Sequence, residues 1–265
     1  GNWLEKSGRR EEVVILSKCG HPDAMWNKRV NEKEMRKDLK KSLEELKTDY
    51  IDIYMLHRDD PDTEVAVAVE TFNAMHEEGN IGAFGASNWT HTRIEEANEY
   101  AYKHNLIPFS VSSPNFCLAR QVEDPWGGGC VNISGPENQE ARAWYEKNQM
   151  PVIAYASLGR GFFSGRMKSE YADHAGDYLD SFAMTGYACS DNFERLRRCE
   201  IIAEKHGVTV AQIAMNWIFS HPLNIFAIAS MSKADRMKAN REALLLQLSD
   251  EEIAYLNLET PEFCG

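Results

Sequence analysis

Positive charge is scarce in this 265-residue chain: 29 lysines and arginines face 41 acidic residues, a formal net charge of −12. No stretch concentrates basic residues as a nucleic-acid surface requires, although a local pocket for a small anion is compatible with that balance. Long apolar runs are missing too. None reaches the ~18 to 20 residues that span a bilayer, and no basic segment precedes an apolar one near the start as a secretory signal needs. The expectation is a soluble, cytoplasmic protein without a membrane or nucleic-acid partner. The six cysteines, Cys19, Cys117, Cys130, Cys189, Cys199 and Cys264, form no CxxC and no paired spacing, so they read as reduced thiols and not as zinc ligands or a disulfide framework. No GxGxxG opens a helix after a strand, which leaves a Rossmann dinucleotide site without support.

What is present is core. Hydrophobic residues make up 43% of the chain and aromatics 10%, enough to fill a sizeable interior. Short β-branched or apolar runs alternate with longer stretches of helical period. "EEVVILSKCG" predicts a strand near Val13 to Lys18, and Met35, Leu39, Leu43 and Leu46 form one stripe of an amphipathic helix. The unit recurs as a strand from Ile51 to His57 with a helix over Glu64 to Glu78, and as a strand from Ile81 with a helix through "RIEEANEYAYKH". Three more strands are expected near Ser110, from Val152 and from Asn224. In "LSDEEIAYL", Ser249 and Glu252 form a capping box. Two long segments, Glu123 to Glu137 and Lys168 to Asp191, read as loops, and loops of that length in a compact domain tend to be lids or binding segments.

Alternating strands and helices point to parallel β/α units. A TIM-type (β/α)8 barrel needs eight strands, and about six are visible. An opening that reads as a helix tail suggests that the deficit precedes Gly1, so residues 1–265 are expected to form a single, N-terminally incomplete barrel domain. Side chains alternate along a strand, so Val14, Leu16 and Lys18 share one face, as do Ile51, Ile53, Met55 and His57. In a barrel, Lys18 and His57 would then stand at the C-terminal mouth, where active sites lie. Tyr54 would face the outer helices.

At these residues a resemblance becomes specific. "VVILSK", "SLEELKTDYIDIYMLH", "GASN" and "YASLGRGFFSGR" resemble, in this order along the chain, signature segments of the aldo-keto reductases. The resemblance implies reduction of an aldehyde, ketone or sugar carbonyl by hydride from NADPH, with Lys18 and His57 as two members of a catalytic tetrad. The lysine would favour ionisation of a phenol with a pKa near ~10, and the histidine would hydrogen-bond and orient the carbonyl. The family's aspartate and tyrosine, in a pattern like DTAxxYG, have no counterpart in this sequence.

The resemblance also implies cofactor contacts. Ser87 and Asn88 match the pair that binds the nicotinamide amide, Tyr155 the aromatic that stacks on the ring, and Ser112 stands where the family usually has a glutamine. Ser157, Leu158, Gly159 and Arg160, with Arg166, match the pyrophosphate loop. Ser230, followed by Met231 and Ser232, ends the last strand. Arg236 would pair with a 2′-phosphate and Asn240 with adenine, favouring NADP.

Plainer accounts compete. Gly159 and Gly161 also serve a simple turn, Arg166 also reads as a surface arginine, and the Trp126 to Gly129 loop reads equally as a substrate lid or a structural turn. For the whole chain, the alternatives to a reductase are a catalytically impaired nucleotide-binding or partner-binding barrel, or one part of a larger multidomain oxidoreductase. The oligomeric state is left open.

Overall fold

A computed structural model describes residues 1–230 and 233–261. Met231, Ser232 and Cys264 lie outside the described residues. The chain divides into two compact units, Gly1–Ser113 and Pro114–Gly265.

The first unit runs α1 (Asn2–Ser7), β1 (Leu16–Cys19), α2 (Glu32–Leu46), β2 (Ile51–Leu56), α3 (Val65–Glu77), β3 (Ile81–Ser87), α4 (His91–Lys103) and β4 (Val111–Ser113). Its strands pair in parallel in chain order, with Lys18 opposite Met55, Met55 opposite Gly85 and Gly85 opposite Val111. Helix α2 follows from local chemistry. Its Asn31 cap accepts from the Glu34 N–H, Met35 and Leu39 are buried, and Lys47 closes it in the left-handed region at φ 55°. Between strands and helices lies an aromatic core in which Phe72 stacks on Phe84 with centroids 5.4 Å apart and Tyr54 meets Phe72 edge-on. Tyr54 therefore faces the helices, as its parity predicts.

Strand β1 begins at Leu16, later than the sequence pattern predicts, and Val14 is 73% exposed. The reason is local. The Asp52 carboxylate, paired with Arg10 at 2.8 Å, takes the Ile15 N–H at 2.7 Å, so a side chain replaces the strand partner of that N–H although the Ile15 carbonyl still accepts from the Ile53 N–H at 3.0 Å.

The second unit contains α5 (Gln139–Asn148), β5 (Val152–Ala154), α6 (Ser181–Tyr187), α7 (Ser190–His206), α8 (Val210–Phe219), β6 (Ile225–Ala227), α9 (Ala234–Ala243) and α10 (Asp250–Leu256). β5 and β6 are parallel, with Val152 opposite Ile225. Capping boxes start α8 at Thr209 and Gln212 and α10 at Ser249 and Glu252, the second as read from the sequence. The segment Lys168 to Asp191 is not the irregular loop expected. It forms a 3-10 stretch, Ser169–Asp177, bent at His174, followed by α6, which Asp180 caps through the Ala183 N–H. Short, bent turns carry no 3.6-residue period, which is why the pattern hid them.

Candidate active site

In the first unit, Lys18, His57, Ser87, Asn88 and Ser112 gather at the C-terminal ends of β1 to β4. The His57 N–H donates to the Cys19 carbonyl at 2.8 Å, extending the β1–β2 ladder by one residue and fixing the imidazole beside the Lys18 strand. Ser87 is 1% exposed and donates from Oγ to the Ser113 carbonyl at 2.8 Å. Asn88 adopts a left-handed φ of 60°, a conformation asparagine tolerates better than most residues. From there its Nδ2 donates to the His57 carbonyl at 3.0 Å and to Ser87 Oγ at 3.2 Å. Asn88 thus ties the end of β3 to the end of β2. Ser112 is fully buried and opposite Ala86 in the register.

In the second unit, Tyr155 follows β5, and the edge of Trp126 meets its ring with centroids 5.7 Å apart. Ser157 is buried, and its Oγ donates toward the carbonyls of Ala154 at 3.1 Å and Ile228 at 2.9 Å. That hydroxyl clamps the ends of β5 and β6 together. Positive φ angles at Ala156 (53°), Gly159 (56°), Arg160 (53°) and Gly161 (96°) curl the next residues into a tight concavity. A Cβ on Gly159 would stand 3.1 Å from Phe162 Cβ, so glycine suits both the angle and the space. Among the described residues the N–H groups of Ser157 and Leu158 meet no acceptor. The Arg160 guanidinium is engaged elsewhere, 3.0 Å from Asp180 and over the Phe182 ring. Arg166 is exposed, as are Ser230 and Arg236, and Arg236 and Asn240 lie one turn apart on α9.

Comparison with known proteins decides the lineage. The family model for "Aldo/keto reductase family" matches residues 1–258. The chain belongs to the aldo/keto reductase family. Relatives include Protein tas of Escherichia coli, 28% identical over 96% of this chain and 76% of that protein. Another is Aldo-keto reductase yakc [NADP(+)] of Schizosaccharomyces pombe, 27% identical over 96% and 71%. Among solved structures, the thermostable aldo-keto reductase Tm1743, in complex with the inhibitor epalrestat, superposes with a TM-score of 0.67 at 22% identity, covering 96% of this chain and 74% of that one. The six parallel strands alternating with helices are thus an α/β fold of aldo-keto reductase type, and oxidoreduction of a carbonyl is the general chemistry that membership supports.

For a member of this family, the electrostatics at the strand ends matter most. Burial, aided by the charges of Lys18, His21 and Arg58, holds the His57 pKa down at about 4, so its imidazole is neutral at pH 7 and keeps one N–H to donate. Burial also lowers Lys18, whose charge costs more in a partly dehydrated position. His21, in the first unit, escaped the sequence reading, whereas Trp126, in the second, belongs to the loop read there as a lid or a turn. The His21 ring makes a T-shaped contact with His57 at 4.7 Å, and Trp126 makes one with Tyr155. Trp126 was visible as a lone aromatic in a glycine-rich loop; nothing in its spacing marked His21.

The pyrophosphate-type loop passes a chemical test of fit for a dinucleotide. It offers unengaged N–H donors at Ser157 and Leu158, a backbone concavity, and the exposed guanidinium of Arg166.

Proposed function

We propose that this chain reduces the carbonyl of a small aldehyde, ketone or sugar with NADPH. The observation that carries this reading is the convergence of Lys18 and a neutral His57 at adjacent strand ends, next to Ser87 and Asn88, in a chain of this family. The reduced nicotinamide, when bound, supplies the hydride to the carbonyl carbon. The protein's part is positioning and charge. The neutral His57 donates a hydrogen bond to the carbonyl oxygen, which orients the substrate and strengthens as negative charge develops there. Lys18 supplies a positive charge that favours the alkoxide left by hydride transfer, which then takes its proton from water or from a phenol whose ionised form the same charge favours. For the nicotinamide end, the first unit would contribute Ser87, Asn88 and Ser112, and the second Tyr155. Ser157 to Arg160 and Arg166 would hold the pyrophosphate, and Ser230, Arg236 and Asn240 the adenosine end. Within that set, the roles of Ser157 and Arg160 fall to their backbone, since their side chains bind within the protein.

The test is Lys18→Met, assayed by NADPH oxidation with a panel of aldehydes and ketones and by fluorescence titration of NADPH. The expected result is loss of turnover by more than a hundredfold with NADPH affinity within about threefold of the parent, because an interaction made only in the transition state is removed. Equal turnover in the variant would sink the mechanism. NADPH binding without turnover in the parent would instead favour the nucleotide-binding barrel.

A further inference from the structure

The second unit holds a cavity of about 470 Å³ whose lining includes none of the residues assigned above. Three arginines from separate segments reach it: Arg120 after Asn115, Arg142 on α5 and Arg195 on α7. Arg195 is 7% exposed, and its only hydrogen bond among the described residues runs from Nη1 to Asn192 Oδ1 at 3.2 Å. Arg142 donates from Nη1 to the carbonyls of Ile133 and Gly135 at 2.7 and 2.6 Å, and its other nitrogens meet no acceptor among the described residues. Neither forms an ion pair there, although carboxylates are close. Glu146 and Glu259 line the same cavity without pairing to them, Glu259 accepting from Asn257, while Arg120 pairs with Glu137 at 3.2 Å.

A guanidinium taken out of water with donors unspent is costly unless an anion compensates it. Burial pulls both Arg142 and Arg195 below the usual guanidinium value, the expected mark of that cost. Apolar groups share the lining: Leu118 and Trp217 are buried, and Leu223 joins them. The lining therefore offers guanidinium donors for a negative oxygen group and apolar surface for a hydrocarbon body.

We propose that this cavity binds a small amphiphilic anion, a carboxylate or phosphate monoester on an apolar body, its charge held by Arg142 and Arg195 and its body by Leu118, Trp217 and Leu223. The site is separate from the reductase reading and does not rest on it. Planar guanidiniums supplied by two helices suit forked recognition of either anion. The volume fits a group the size of an aromatic acid.

Isothermal titration of the whole chain with benzoate, benzyl phosphate and neutral benzamide tests this. The expected result is saturable one-to-one binding of benzoate or benzyl phosphate, at least tenfold tighter than benzamide, the tighter of the two identifying the preferred head group. Replacing Arg195 risks the fold, so the decisive variant is the half-buried Arg142→Gln, expected to weaken binding at least tenfold while it still unfolds cooperatively, its thermal midpoint lowered by the loss of the bonds to the Ile133 and Gly135 carbonyls and its NADPH affinity unchanged. The proposal is overturned if neither anion binds saturably, if benzamide binds as well, or if Arg142→Gln leaves the affinity intact.

Discussion

His57 shows how a single side chain is prepared for its position. Its folded pKa of about 4 lies below the ordinary histidine value of 6.5, and burial is the largest cause. Above pH 6.5 both the folded and the unfolded chain leave the ring neutral, so it makes no contribution to stability. As pH falls from 6.5 towards 4, the unfolded chain takes up a proton that the folded chain refuses, and folding is penalised. The penalty is about 1 kcal/mol at pH 5 once solvent screening around a partly exposed ring is allowed for. His57→Gln should therefore lose less stability than the parent between pH 7 and pH 5, measured by urea unfolding at both pH values. Carboxylates held down by arginines, such as Glu194 at about 2, weaken the fold in the same direction, but they do so equally in both proteins. Equal losses in parent and variant would show that the ring is not held neutral by burial. In the same proteins, no loss of turnover above pH 5 should trace to this imidazole.

Strand β3 sets the geometry at the level of the element. A Cβ built on Gly85 would lie 1.9 Å from the Val111 carbonyl oxygen, a backbone atom that cannot move without breaking the β3–β4 ladder. Gly85→Ala is expected to cost about 3 kcal/mol, whereas Gly8→Ala, at φ 64° with nothing within 4 Å, should cost about 1 kcal/mol from backbone strain alone. Their thermal midpoints should rank in that order; a Gly85→Ala protein as stable as the parent would mean that β3 and β4 are less closely paired than described. Elements like this one were legible because their residues are pattern-bearing. The alternation through "YIDIYML" sets β2, its parity correctly turns Tyr54 to the helices, and the Ser249–Glu252 box marks the start of α10. Where a side chain interrupts a ladder, as Asp52 does at Ile15, period alone extends the strand too far. The site was legible in the same unequal way. Strand ends located Lys18 and His57, but the Arg160–Asp180 pair and the Ser157 clamp depend on contacts between segments distant in sequence, and the buried arginines of the second unit carry no local period at all.

For the whole molecule, a net charge of −12 must be reconciled with a proposed cofactor that is itself a polyanion. The long-range field opposes NADPH, so affinity has to come from short-range donors that act inside a Debye length of about 8 to 10 Å. Arg236 is the donor expected to read the extra phosphate: it is exposed on α9 and free of ion pairs among the described residues. A charge-assisted hydrogen bond to a phosphate at such an exposed position is worth about 1 kcal/mol, a five- to tenfold change in affinity. Arg236→Ala should therefore weaken NADPH by about that factor while leaving NADH within twofold, read by fluorescence titration of both cofactors. Raising salt from low to physiological strength should then narrow the NADPH advantage in the parent more than in the variant, because only the parent retains the exposed attraction for salt to screen. Parallel weakening of both cofactors would place Arg236 away from the 2′-phosphate, and the proposed use of NADPH would then need other donors of the second unit.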